Sequence, residues 1–142
     1  MRYAIGCDHA GFSHKDVVLR VLEKHGYDVA DYGTFTDEST DYPDHIHPAM
    51  KALAEDQADR AIILCGSGNG VAMTANKYAH VRAALCWNAE LATLARQHND
   101  ANVLALPARY IDHPLTEKIV EAFITSQFEG GRHARRVSKI SC

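Results

Sequence analysis

Cys65 ends the run Ala61-Ile62-Ile63-Leu64-Cys65, and Gly66-Ser67-Gly68-Asn69-Gly70 follows it directly. Three glycines in five residues expose backbone N–H groups and permit positive φ, and a helical stretch comes next. Such a segment makes an anion cradle. A thiol beside it has its thiolate favoured, which suits the sulfur to accept a proton. The plainer reading of the same residues is a tight strand–helix turn behind a buried cysteine. Two phosphate-loop patterns are excluded. Val71 stands where G-x-G-x-x-G requires its third glycine, and no Gly-Lys-Ser/Thr follows.

Other groups have chemistry to offer. Asp8-His9 comes straight after the apolar run Arg2–Cys7, where an Asp can bind a ligand or merely cap the next helix. Tyr42 lies in a polar stretch after the second strand, as a ligand wall or as loop packing. Gln97-His98-Asn99-Asp100 closes a helical segment; His98 suits a helix C-terminus electrostatically, and histidine is also the natural acid and base near neutral pH. Arg132, His133, Arg135 and Arg136 concentrate positive charge near the C-terminus, enough for a small phosphate and too little for a polymer. The pairs His45/His47 and His9/His14 have no thiol or carboxylate partners at ligand spacing, so no metal site is expected. The four cysteines, Cys7, Cys65, Cys86 and Cys142, form no C-x-x-C, and Cys7 and Cys86 read as core residues.

Elements of two periods must place these groups. Strands are expected over Arg2–Cys7, Asp28–Asp31, Ala61–Cys65, Val81–Trp87 and Asn102–Leu106. Helices alternate with them: 14–25, closed by Gly26; from about Pro43 to 57; 71–77; 89–97; and 114–126. After Glu129-Gly130-Gly131 a short basic tail helix is expected. The alternation predicts a three-layer α/β/α Rossmann-like sandwich with right-handed crossovers. Its sheet would be parallel and five-stranded, in the order 2-1-3-4-5. Ligands in such sheets bind beyond the carboxyl ends of the strands where the winding reverses, here between the first and third strands. That crevice unites Asp8 and His9 with Cys65 and the glycine loop.

Composition limits the alternatives. At 142 residues with 46% hydrophobic content, the chain suits one domain, residues 1–142, able to bury roughly 70% of its unfolded surface. A formal charge of −3 disfavours a nucleic-acid partner. No secretory leader opens the sequence and no 18-residue apolar run occurs, so a reduced, cytoplasmic protein with no membrane partner is expected.

Six separated segments, in order along the chain, resemble the ribose-5-phosphate isomerase B family, which includes galactose-6-phosphate isomerase subunits. They are GCDHAGF at the start, TDYP at 40–43, CGSGNG at 65–70, ANK at 75–77, RQHNDANVLAL at 96–106 and EGGRHARR at 129–136. The resemblance implies an aldose–ketose isomerase without cofactor or metal. Cys65 would move a proton from C2 to C1 of an open-chain sugar phosphate. Gly66, Ser67, Gly68, Asn69 and Gly70 would hold the enediolate oxygens, with Ser67 as a proton relay. His98 would open the furanose ring, helped by Asp8. His9, Arg132 and Arg136 would grip the phosphate, with Arg109 as a further candidate; Asn99 would hold a hydroxyl and Tyr42 border the site. One branch of the family places a glutamate just after the glycine loop; Val71 stands there, which puts this chain in the thiol branch. Ribose 5-phosphate is the expected substrate, ahead of allose 6-phosphate, galactose 6-phosphate and tetrose phosphates.

Two readings from other classes compete: a non-catalytic phosphate-binding module, and a thiol-redox protein in which Cys7 approaches Cys65 from the neighbouring strand. The first leaves Cys65 and His98 without a task, and the second lacks a nearby second cysteine in sequence. Topology adds a further expectation. The fourth helix descends from the ligand edge, which carries His98 and Asn99 away from Cys65 of the same chain, and the fifth carries Arg132 and Arg136 away likewise. A homodimer or tetramer with shared sites would bring them back together.

Overall fold

The computed structural model describes residues 1–141; Cys142 lies outside them. Five strands form one parallel sheet: β1 (Arg2–Cys7), β2 (Asp28–Asp31), β3 (Arg60–Cys65), β4 (Ala83–Leu85) and β5 (Val103–Pro107). Six helices accompany them: α1 (Phe12–Lys24), α2 (Tyr42–Ala54), α3 (Asn69–Ala75), α4 (Ala89–Asn99), α5 (His113–Thr125) and α6 (Arg132–Ser138). Each helix start falls within two residues of its sequence expectation, and the tail helix α6 begins directly after Gly131. Asn88 and Asp112 set two of them, their carboxamide and carboxylate oxygens accepting the N–H of Leu91 at 2.9 Å and Leu115 at 2.8 Å.

Alternation across the sheet makes two cores. Tyr3, Ile5 and Cys7 of β1, Ile62 and Leu64 of β3, and Leu104 and Leu106 of β5 pack under α1, α4 and α5. Ala4, Ala61, Ile63, Cys65, Val103 and Ala105 face α2 and α3 on the other side. Both faces of β3 and β5 are thus covered, as a parallel sheet requires.

The order of strands is β2-β1-β3-β5-β4, so the expected 2-1-3-4-5 exchanges its last two members. Burial explains the exchange. Every residue of β5 is buried, which suits a central strand, whereas β4 keeps three half-buried residues and suits the edge. The expected strand Val81–Trp87 shortens to those three because its ends are engaged elsewhere. The Arg82 N–H donates to Asn102 Oδ1 at 2.8 Å, and Trp87 is exposed.

A buried cation anchors the loop that follows β2. Lys15, 4% exposed, places its ammonium 2.9 Å from Asp31 Oδ2 and 2.6 Å from the Thr34 carbonyl oxygen. Its charge also lies 4.4 Å from the centre of the Phe35 ring. Lys15 shares the inward face of α1 with Val18 and Leu22, three and seven residues on, but its charge conceals that in the sequence.

Candidate active site

The β3–β5 pairing carries the site. Cys65 is level with Pro107, so the turn Ala108–Tyr110 after β5 rises beside the glycine loop after β3. The Arg109 N–H donates to the Gly66 carbonyl at 3.0 Å, which ties the two loops together. On the other flank β1 delivers Asp8 and His9. The result is a cleft of about 410 Å³ lined by Asp8, His9, Tyr42, Cys65, Gly66, Ser67, Gly70, Arg109 and Tyr110 among others.

Gly68 builds the thiol's environment. It sits at φ +76°, and a methyl group there would strike the Leu85 side chain and lie 3.2 Å from the backbone between Leu106 and Pro107. Held in that conformation, Gly68 donates its N–H to Cys65 Sγ at 3.2 Å. A dipole aimed at sulfur stabilises negative charge on it. Burial pushes Cys7 up to about 11 and Cys86 up to about 12, which keeps both protonated. Cys7 also points to the opposite face of the sheet from Cys65, so no strand-to-strand pair forms between them.

The walls are fixed by side-chain and backbone contacts. Asp8, 6% exposed, accepts the N–H groups of Ala10 at 2.9 Å and Gly11 at 3.1 Å through Oδ1, so it caps its own loop while lining the cleft. His9 accepts the Thr40 N–H on Nδ1 at 3.2 Å. Tyr42, expected in a loop, is the first residue of α2 because Pro43 can occupy the next helical position. Its ring lies against Gly70, where a Cβ would come within 2.5 Å of it. Ser67 accepts the Asn69 N–H at 3.2 Å, while Asn69 itself is exposed and does not line the cleft.

His98, Asn99 and Arg136 lie elsewhere, on a second cleft of about 500 Å³ that they line with His133, Leu85 and Leu94. Asn99 ends α4, and the chain enters β5 at Val103, level with Ala61, while Cys65 is level with Pro107. Four residue steps separate these levels, about 13 Å along the strand. The two clefts share no lining residue. Around His98 the geometry is close-set: its ring stacks on His133 with centroids 4.1 Å apart, and Nε2 is 3.4 Å from Glu129 Oε1. The Glu129 N–H donates to the Gln97 carbonyl at 3.0 Å, fastening the 129–131 turn to the end of α4. His133 has its proton affinity lowered by desolvation first, then by His98 and Arg132. Arg132 opens α6 and is exposed.

The sequence does not mark Tyr110, and it marks His133 only as a member of the basic cluster. His133 stood in the basic tail, with no sequence cue to its stacking on His98. Tyr110 follows Arg109 at the end of a strand then placed at the sheet's edge; only a central β5 brings both residues to Cys65.

Among the described residues one grouping offers three metal ligands: His98, Glu129 and His133, with donor atoms within 4.8 Å of one another. Their arrangement opposes a shared ion. The imidazoles are parallel to within 9°, so an ion in the plane of one ring's lone pair lies out of the plane of the other. Of the histidines close to one another in sequence, His14 lies 2.8 Å from Ile111 O and His47 2.6 Å from the Tyr78 hydroxyl. Turnover is therefore expected to be unchanged by EDTA; activity lost to the chelator and restored by a divalent ion would overturn this.

No helix of the described residues is long and apolar enough to cross a membrane. The sequence profile of the Ribose/Galactose Isomerase family matches residues 3–140. Ribose-5-phosphate isomerase B of Escherichia coli is 42% identical over 140 residues, covering 99% of this chain and 94% of that protein. The structure of the Clostridium thermocellum ribose-5-phosphate isomerase B is similar at a TM-score of 0.95 and 44% identity, covering 99% of this chain and 95% of that one. That of the Mycoplasma genitalium ribose-5-phosphate isomerase B, solved with bound ribulose 5-phosphate, is similar at 0.92 and 39%, covering 98% and 93%. With the profile spanning nearly the whole chain, and the sequence and fold likeness just as broad, the protein belongs to the ribose/galactose isomerase family.

Proposed function

We propose that this protein interconverts ribose 5-phosphate and ribulose 5-phosphate, with Cys65 as the base. The observation that carries the reading is the position of Cys65 Sγ, at the floor of the His9–Arg109 cleft with the Gly68 N–H aimed at it. The thiolate takes the proton from C2 of the open-chain aldose, negative charge spreads over O1 and O2 of an enediolate, and the thiol returns the proton to C1. Backbone donors of residues 66–70 stabilise the oxyanion. Ser67 moves the proton between the oxygens, and His9 and Arg109 supply phosphate donors from this side. The relatives named for ribose 5-phosphate, one of them holding ribulose 5-phosphate, support this sugar over the others.

In the cleft as built by one chain, His9 is assigned to phosphate and Cys65 to the proton transfer, and Asp8 already caps its loop through Oδ1. His98, Asn99, Arg132 and Arg136 complete the chemistry if a second copy presents its lower edge to the crevice. The active unit in this reading is a homodimer with two shared sites, in the cytoplasm.

Incubation with ribose 5-phosphate should give ketose, read by its absorbance or by proton NMR. Conversion of allose 6-phosphate or galactose 6-phosphate at higher kcat/KM would move the assignment to that sugar. Binding of all of them with turnover of none would favour the phosphate-binding module.

A further inference from the structure

Thr40 touches two histidines with two different groups. Its N–H donates to His9 Nδ1 at 3.2 Å, and its hydroxyl lies 3.0 Å from His45 Nε2. His45 Nδ1 is in turn 3.2 Å from the Tyr32 carbonyl oxygen. Donor and acceptor rules settle the directions. A carbonyl can only accept, so His45 carries its proton on Nδ1, and in the neutral ring Nε2 accepts from the Thr40 hydroxyl. A backbone N–H can only donate, so Nδ1 of His9 is bare and the neutral ring holds its proton on Nε2. When both rings are neutral, one threonine thereby holds two imidazoles in opposite tautomers.

We propose that Thr40, seated by His45, is a positioning residue that fixes His9 with its Nε2–H as the one ring donor offered to the cleft. This rests on the assignment of His9 to phosphate given above. The tautomer matters because the other form would turn a lone pair, and not an N–H, toward phosphate oxygens. The seat is rigid. His45 belongs to α2, three residues beyond Tyr42, and its ring packs on Gly33, where a Cβ would lie 3.0 Å from Nδ1. Gly33 is held by its N–H to Asp31 Oδ1 at 2.9 Å, and the adjoining Thr34 carbonyl by buried Lys15. Thr40 therefore transmits the fixed geometry of α2 and the β2 loop to a side chain that no helix holds.

The tautomers can be read directly in ligand-free protein labelled with ¹⁵N-histidine, by long-range ¹H–¹⁵N correlation, with His9→Gln and His45→Gln to assign the signals. His9 should show a bare Nδ1 and protonated Nε2, and His45 the reverse, neither averaged. Thr40→Val keeps the main-chain N–H and the β-branch but removes the hydroxyl. Losing its seat, the Thr40 N–H should loosen from His9 and let that ring average between tautomers, while His45 keeps its Nδ1 proton on the Tyr32 carbonyl. KM for ribose 5-phosphate should rise by about tenfold, the scale of a hydrogen bond to a charged group, at nearly constant kcat. Thr40→Ser should restore spectra and KM together. A protonated Nδ1 on wild-type His9, or a Thr40→Val protein with wild-type spectra or wild-type KM, would overturn the proposal. Because the spectra need no substrate, inactivity toward ribose 5-phosphate would sink the functional reading separately. The competition of inorganic phosphate with any active sugar phosphate, or its direct binding, would then report the His9 grip.

Discussion

Cys65→Ala is expected to bind ribose 5-phosphate yet neither isomerise it nor wash solvent deuterium into it. Losing the base removes the step common to both readouts, on the scale of about 10²–10⁴-fold for general-base catalysis. Binding should persist, because the donors at His9 and Arg109 come from other elements and the alanine only empties a small volume at the end of β3. The exchange experiment separates roles that turnover alone would merge. A variant that lost ring opening would still exchange deuterium into an open-chain analogue, whereas one that lost the base would not. Exchange above about 1% of the wild-type rate in Cys65→Ala would assign the proton transfer to another residue. Cys7→Ala is the matched control: its thiol is buried against the other face of the sheet, pushed up to about 11, and lines neither cleft.

The proposed sharing of each site between two subunits yields the second large effect. Cys65→Ala and Arg132→Ala proteins should each be nearly inactive alone. Unfolded, mixed in equal amounts and refolded together, about half the dimers should be hybrids by random pairing. In each hybrid one site carries both changes and the other carries neither, so about a quarter of wild-type activity should return. The physical basis is the register of the sheet. Cys65 and the end of α4 sit at opposite ends of neighbouring strands, and the clefts they line have no residue in common. Hybrids confirmed by mass but inactive would mean that each site is completed within one chain.

The layers and the first three strands were legible because their residues state their environment. Ala61–Leu64 are apolar without interruption, as a doubly covered parallel strand must be, and Val17, Val18, Val21 and Leu22 recur on one face of α1. The crevice between β1 and β3 followed from topology, and it brought Asp8, His9 and Cys65 together. The exchange of β4 and β5 was harder to see, since parallel strands joined by helices carry no local mark of which neighbour they choose. The relevant signal was present in quality of burial: Val103–Leu106 is all apolar, whereas Arg82 interrupts the fourth strand. Missing it cost Tyr110 as a site residue. Lys15 and Thr40 were illegible for another reason. Their roles are set by polar contacts to groups elsewhere in the chain, Asp31 and the Thr34 carbonyl for Lys15 and two imidazoles for Thr40, and the hydrophobic pattern does not record those.

The turning of Cys7 and Cys65 to opposite faces of the sheet bears on what oxidants do to this protein. A sulfenic acid on Cys65 would open on the cleft, close to a backbone dipole, and be walled off by the sheet itself from the thiol nearest along the strands. With Cys86 also on the far face, none of the described cysteines stands ready to condense with it into a rescuing disulfide. Repair would then depend on small thiols diffusing into the cleft, against the competing advance to sulfinic acid, which ordinary reductants do not reverse. Bound sugar phosphate would sit in the path of both peroxide and rescuer. Occupancy by substrate thus becomes a form of shelter, and the enzyme's lifetime under oxidative stress a function of how busy it is.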